Sequence, residues 1–556
     1  LRPYVKLFAW GLLLALVSTG TVFGASDGAG SGKILLVSLD DRPATMQYPE
    51  WLARIADHRL VLPPVELLGK FTTPGDTAKL ASWLESYPIE GTDAIILSID
   101  MLAYGGLIGS RTLSVSLQDA LNRISILNRI RDRHPNIPVY AFNCIMPLAP
   151  TAEKATRSYR EPLMRYAELV DKVEKVSDPA LKTEVERLKK SIPDQVLSQY
   201  MITRKRNQAI NLLTIRMVND GRIDFLVLCQ EDARPYGLHR QEQLVLEEEI
   251  RTLKLEDKVR IYPGADQVAL TLLTRYLNRK FKFTPKIAAV YPSEAAKKMV
   301  DDDEDRPISE MVARQINALG GQPVENPDAA DLVLYMNAPK RTSAELKSLV
   351  AKLTRAVEAG RPVALADTAA FARGSGGSDP DLIKELRKNK LMDRLAAYAS
   401  LNTTENTVST ALSQATMYVL YKKFLSDTVE RAARGARAQK EFLLQRYIND
   451  YGYHDLVRPK IYQFVERELK AQTDELDAGA HGKANLRVKQ ELEKVARELF
   501  NEHFQGRVYA LSSAAGAEPS SKKSLRIDGL ENLNATLPWP RPFEVRIEFT
   551  LRATME

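Results

Sequence analysis

The chain has 556 residues, a net charge of +7, 44% hydrophobic and 27% charged residues, which is the make-up of a globular protein with room for three or four domains. Lys and Arg alternate with acids rather than clustering, and no zinc-finger, Walker or RNP pattern occurs, so a nucleic-acid partner is not expected. In chain order, the first signal is a basic start (Arg2, Lys6), an apolar run over 7–23 and small residues at Gly24-Ala25. This reads as a signal peptide over 1–25, cleaved near Gly24-Ala25, and an exported chain with no stable membrane partner afterwards; a retained N-terminal anchor is the alternative. No Cys follows the apolar run, which argues against lipidation.

The continuous apolar run 34–39 predicts a strand buried on both faces. It stops at Asp40-Asp41-Arg42-Pro43, because proline has no backbone donor to continue pairing. A helix follows over 49–57, a strand over 59–62, a helix over 77–86 and a strand over 94–98. Then come a helix over 117–134, a strand over 139–143, a long helical stretch over 152–220 broken near Pro193, and strands over 223–228 and 259–262. Six strands alternating with helices predict a parallel α/β domain over 33–284, barrel-like or doubly wound, and a distorted or incomplete barrel is the preferred form. A second, smaller α/β domain is expected over 285–400, with strands over 287–291, 332–335 and 363–366 and a helix over 382–399. The acid run 301–305 lacks EF-hand spacing and reads as a solvated loop. A helical region over 401–510, interrupted at Gly452, Pro459 and Gly479, precedes a mobile linker (514–523) and a terminal strand over 543–549 within a last unit at 511–556.

In parallel sheets the ligand face lies at the carboxyl ends of the strands. Polar clusters stand there repeatedly: Asp40-Asp41-Arg42, Asp100 with Tyr104-Gly105-Gly106, Asn143, Glu231-Asp232-Ala233-Arg234, and Asp266-Gln267. Paired carboxylates suit acid–base chemistry, because close like charges split their pKa values. The expectation is a carbohydrate-active enzyme, a glycoside hydrolase with Glu231 or Asp232 as acid and Asp100 or Asp266 as base or nucleophile. Asp40, Asp41, Arg42, Tyr104, Asn143, Arg234, Asn402 and Asn406 would position a small-molecule or glycan substrate. Each cluster also has a structural reading: Asp40, Asp41, Asp100 and Asp266 as turn or helix caps, and 402–407 as an extended helix cap. Two rival functions stand beside the first. One is a non-catalytic exported protein binding a sugar-like or anionic ligand. The other is a Mg²⁺ or Mn²⁺ hydrolase built on Asp40, Asp41, Asp100 and Asp266. Apart from that cation no cofactor is expected. The six His residues lack ligand spacing, and Cys144 and Cys229 each close an apolar run and read as buried thiols. Ser110-Arg111 is not part of a nucleophile elbow, so serine-hydrolase chemistry is not expected.

Several ordered motifs carry a family resemblance: Leu39-Asp40-Asp41-Arg42-Pro43, Pro63-Pro64, Leu68-Gly69, Pro74-Gly75-Asp76, Ser98-Ile99-Asp100-Met101, Tyr104-Gly105-Gly106-Leu107, Glu231-Asp232-Ala233-Arg234-Pro235, Pro263-Gly264-Ala265-Asp266 and Asn402-Thr403. Together they resemble the bacterial domain of unknown function 4127, from about residue 33 to past 450. The resemblance implies that these strand-end clusters belong to one pattern, and it supplies no activity. Where the family's late motif reads Gly-Trp-Asn-Thr, this chain has Ser400-Leu401-Asn402-Thr403 and so lacks that Trp.

Overall fold

Alternate residues of the first strand serve two different cores. Ile34 and Leu36 join one buried apolar cluster, and Leu35 and Val37 join another on the opposite face, as the period-2 geometry of a strand requires. A strand covered on both sides must be apolar throughout, which explains the unbroken run. The computed structural model describes residues 32–231, 233–300, 306–370, 377–511 and 523–556. The expected signal peptide over 1–25, Asp232, the acid run 301–305 and residues 514–522 of the expected linker lie outside them.

Six strands form the first sheet: β1 Gly32–Val37, β2 His58–Val61, β3 Ala94–Ser98, β4 Val139–Ile145, β5 Phe225–Gln230 and β6 Val259–Pro263. Their order is β2-β1-β3-β4-β5-β6, all parallel. The sheet stays open, so the doubly wound alternative holds and the preferred barrel does not. Six strands, with edges β2 and β6 unpaired to each other, cannot close a ring that takes eight.

The second sheet contains β7 Lys286–Val290, β8 Gln322–Val324, β9 Leu332–Asn337, β10 Val363–Asp367 and β11 Ala397–Ala399, in the order β11-β10-β9-β7-β8 and again all parallel. Numbered within its own unit, this is the 2-1-3-4-5 order that opens the first sheet. A third, antiparallel sheet holds β12 Val508–Ala510, β13 Ser524–Thr536 and β14 Arg546–Met555. One face of the first sheet, β7, β9, β10 and β11 of the second sheet, the late helices and the third sheet share one continuous apolar core.

Several elements differ from expectation. The stretch 152–220 is three helices, Arg160–Lys175, Pro179–Ser191 and Asp194–Asn219. Asp178 caps the second, with Pro179 in its first turn, a start signal inside the apparent run. The expected helix over 382–399 ends at Lys388, and its last residues are strand β11. Leu395 to Ala399 is a short apolar run whose period fits either element. Gly452 and Pro459 do not interrupt the chain, which stays helical over 429–468 with wide π-type turns at Tyr447–Val457 and Phe464–Glu468. Pro459, which has no backbone donor, stands directly after the wide π-type turns Tyr447–Val457. Among the described residues no helix is long and apolar enough to cross a membrane.

Buried polar groups fasten the second sheet to the helices. The Asp367 carboxylate accepts the Asp379 N–H at 2.7 Å, Asn337 Nδ2 at 2.8 Å and the Tyr398 hydroxyl at 3.1 Å. Asp455 accepts the Ser378 N–H at 2.8 Å, and Asp450 accepts the Ser400 N–H at 2.7 Å. Burial pushes the Asp367 carboxyl up to about 7 and Asp455 up to about 8. In the unfolded chain both release their protons near 3.8, so the folded state binds more protons between these values and stability falls as pH rises through the window. Melting temperature, measured by calorimetry, is expected to fall between about pH 4 and about pH 8. The drop should shrink in the Asp367→Asn, Asp455→Asn double variant; a melting temperature that rises across this interval would contradict the assignment.

Candidate functional site

The loop after β1 is built around one guanidinium. Asp40 accepts Arg42 Nε at 2.9 Å and Nη2 at 2.8 Å, and its other oxygen takes the Thr45 hydroxyl at 2.9 Å. Arg42 Nη2 and Nη1 also donate to Asp266 at 2.8 and 3.3 Å. Asp266 follows β6, and β3, β4 and β5 lie between β1 and β6 in the sheet. The two loops therefore bridge the carboxyl edge. Burial works against the charge on Arg42, but Asp266 and Asp40 hold its pKa well above the usual arginine range. Asp266 is not a helix cap, since the helix Val268–Lys280 begins without a side-chain cap.

Asp41 turns the other way. Its Oδ1 accepts the Trp539 indole N–H at 2.5 Å, a contact between residues 498 apart in sequence. Arg42 and Arg541 lie 5.0 and 4.7 Å from the centre of the same indole, in cation–π contact. Burial pushes the Asp41 carboxyl up to about 6; the Trp539 bond opposes the rise and Asp40 adds to it.

Three glycines from the quoted motifs hold this loop by close backbone contact. The Asp41 N–H donates to the Gly69 carbonyl at 3.1 Å, and Gly75 N–H to the Gly105 carbonyl at 2.8 Å. A Cβ on Gly69 would stand 2.2 Å from the Gly105 oxygen, and Gly105 has φ +81°. Backbone meets backbone here, which only glycine allows.

At the ends of β3 and β4 stands a second group. Ser98, not Asp100, caps the short helix Ile99–Tyr104. Asp100 is fully buried: its Oδ2 accepts the Cys144 N–H at 2.8 Å and Asn143 Nδ2 at 3.2 Å, while its Oδ1 and the Asn143 Oδ1 have no partner. Burial pushes the Asp100 carboxyl up to about 6. Tyr104 is buried beneath Arg206, whose guanidinium lies 4.2 Å from its ring and donates to the carbonyls of Ser110, Thr112 and Val115.

Glu231, at the end of β5, is paired with Arg111. The thiols of Cys144 and Cys229 face each other at 3.3 Å on paired strands, buried and unbridged as expected. The bond to Cys229 raises the Cys144 pKa first, then burial, then Asp100 and Glu231, so both carboxylates lie within electrostatic reach of one sulfur. Arg234 lies 3.9 Å from Glu168 near the surface. Asn406 Nδ2 donates to Asn402 Oδ1 at 3.0 Å, and Thr403 caps the helix Thr404–Phe424. That helix start abuts the end of β6: a Cβ on Gly264, at φ +92°, would stand 2.9 Å from Glu405 Cγ.

The structure thus joins Asp40, Arg42 and Asp266 directly, ties Asp41 to them through Trp539, and joins Asp100 to Asn143. Sequence reasoning missed Arg111, Arg206, Glu405 and Trp539. The run Pro538-Trp539-Pro540-Arg541-Pro542 was the available sign of the last. Among the described residues no three His, Cys, Asp or Glu side chains are placed to hold a metal ion, and Arg42 supplies the positive charge between Asp40 and Asp266.

The family described as "Protein of unknown function (DUF4127)" matches residues 34–548. No curated protein matches the chain. Among solved structures, the chain is similar to Alr3699/HepE of Anabaena, crystallised with UDP and glucose, at 11% identity and a TM-score of 0.17, covering 71% of this chain and 95% of that one. At that score the likeness says nothing of ligand or activity.

Two substitutions test the geometry. Gly69→Ala forces a methyl into the Gly105 carbonyl and is expected to cost roughly 1–3 kcal/mol in a denaturant titration. Trp539→Phe keeps the ring and removes the donor to Asp41. The Asp41 carboxyl should then titrate above about 6, read by carboxyl-carbon NMR, since the lost bond favours the charged form.

Proposed function

The chain belongs to the DUF4127 family, and from that starting point we propose that it is a carbohydrate-active enzyme, glycosidase-like, acting on a small hydroxyl-rich substrate at the carboxyl edge of the first sheet. The observation that carries this reading is the division among neighbouring carboxyl groups. Asp41 is pushed up to about 6 by burial, beside two carboxylates paired to Arg42. One group that keeps a proton near neutrality, next to others that stay paired, is the arrangement acid–base catalysis needs. Asp41 retains slight solvent access whereas Asp100 is sealed. We therefore assign the acid to Asp41, and give Asp100 and Asn143 the role of shaping the floor. Glu231, reached by solvent and held by Arg111, is the partner carboxylate. Arg42 and Asp266 fix the loop that presents Asp41. The substrate is met outside the cytoplasm, after loss of the leader over 1–25.

One observation favours a second reading, a binding protein without catalysis. Arginine already holds Asp40, Asp266 and Glu231, as suits a wall that positions a ligand.

The test is release of reducing sugar by purified chain across a broad glycan panel. Asp41→Asn is expected to lower the rate by about 10²–10⁴-fold with the melting temperature kept. Because the acid must be protonated, the wild-type rate should fall as pH rises through about 6. Glycan binding without turnover, undiminished in Asp41→Asn, would decide for the binding protein, and neither binding nor turnover would end both readings.

A further inference from the structure

Prolines alternate with other residues through Pro538-Trp539-Pro540-Arg541-Pro542, just ahead of β14. Proline fixes its own φ and keeps the residue before it out of the helical region, so this strap is stiff and poor in donors. Its carbonyls are taken from the late helical region: Pro542 accepts the Tyr453 hydroxyl at 2.8 Å, and Pro540 the Leu476 N–H at 2.7 Å. The Arg541 N–H turns back on the Trp539 carbonyl at 2.7 Å, which brings these two residues together.

The strap is fastened to Asp41 twice. The Trp539 indole, 1% exposed, donates to Asp41 Oδ1 at 2.5 Å, and Arg546, at the start of β14, donates to the Asp41 carbonyl at 3.1 Å. Phe71 packs on the indole with ring centres 5.6 Å apart, and with Ile108 the two rings form an apolar cluster separate from the sheet cores. Phe71 sits at φ +48°, a conformation that a bulky side chain adopts only where its surroundings hold it. The Arg541 guanidinium lies 4.7 Å from the indole centre, 5.5 Å from Phe71 and 5.1 Å from Phe543. Two bonds to Glu544, of 3.0 and 2.9 Å, fix the plane of that guanidinium. A flat cation locked in this way restrains the ring it stacks on.

We propose that Arg541 is a positioning residue for Asp41: stacked on Trp539 and locked by Glu544, it holds the indole donor against that carboxyl group, a role in catalysis that rests on Asp41 being the acid. NMR of the full chain follows the Trp539 indole N–H and the Asp41 carboxyl in Arg541→Ala, Arg541→Lys and Glu544→Gln. In Arg541→Ala the indole N–H should exchange with water at least about tenfold faster. The Asp41 carboxyl should then titrate above about 6, since the weakened bond favours the charged form. Arg541→Lys keeps the charge but lacks the flat fork, and it should behave as Arg541→Ala does. Glu544→Gln should also move Asp41 upward, though less. Charge alone predicts the reverse, because removing a nearby acid favours ionisation of the other. This variant leaves the stack in place and carries the test should Arg541→Ala not fold. On a glycan that the wild type hydrolyses, Arg541→Ala should lower kcat by about tenfold or more with KM little changed, and its alkaline fall in rate should move to higher pH.

The proposal is overturned if indole exchange and Asp41 titration are unmoved in Arg541→Ala and Glu544→Gln, or if Arg541→Lys restores both. Turnover that depends on Asp41 but is untouched in Arg541→Ala would end this inference alone. A wild type that turns over no glycan would remove the catalytic role from Asp41 and Arg541 together, whatever the spectra show.

Discussion

The Arg42 guanidinium is the contact on which the carboxyl edge depends. Its planar fork matches two carboxylates at once, Asp40 from its own loop and Asp266 from the loop after β6. Lysine, a single point charge, could not hold both with that geometry. Breaking either pairing would leave a nearly buried charge uncompensated, a larger loss than a surface ion pair represents. The indole of Trp539 closes the arrangement from the far end of the chain, so the loop after the first strand is set by residues drawn from three places in the sequence.

The two parallel sheets repeat one strand order and differ in what their carboxyl edges carry. The first presents Asp41, Arg42, Glu231 and Asp266, each keeping some contact with solvent. The second presents Asn337, Asp367 and Ser400, all sealed against the helical region. The same topological position keeps its polar groups in contact with solvent in one unit and packs them away in the other. Fold alone does not say which edge is functional.

Much of the first sheet was legible in the sequence because buried strands of this kind are apolar without interruption and end abruptly in Asp, Asn or Gln. Asp40 to Arg42, Asp100 and Asp266 could be placed at strand ends for that reason. The open sheet was not legible: strand order is a matter of pairing, and pairing leaves little trace in local pattern. Short strands such as β8 and β11 carry too few residues to show a period. The Trp539 contact with Asp41 lay beyond any local reading, as did the meeting of Gly69 with Gly105. The glycines were visible as motifs, but their close backbone approach appears only in three dimensions. The helix start after Thr403 meets Gly264 through Glu405.

The Trp539 bond also sets a timetable for biosynthesis. Asp41 emerges early from the ribosome, and its indole partner follows 498 residues later. At synthesis rates of about 5–20 residues per second, that interval is roughly 25–100 s. Through it the first sheet can assemble while its carboxyl edge stays unfinished, with Asp41 lacking its donor and Arg42 its aromatic cover. Premature termination, or clipping within the last strands, would therefore release a chain with a nearly complete core and an unfinished carboxyl edge.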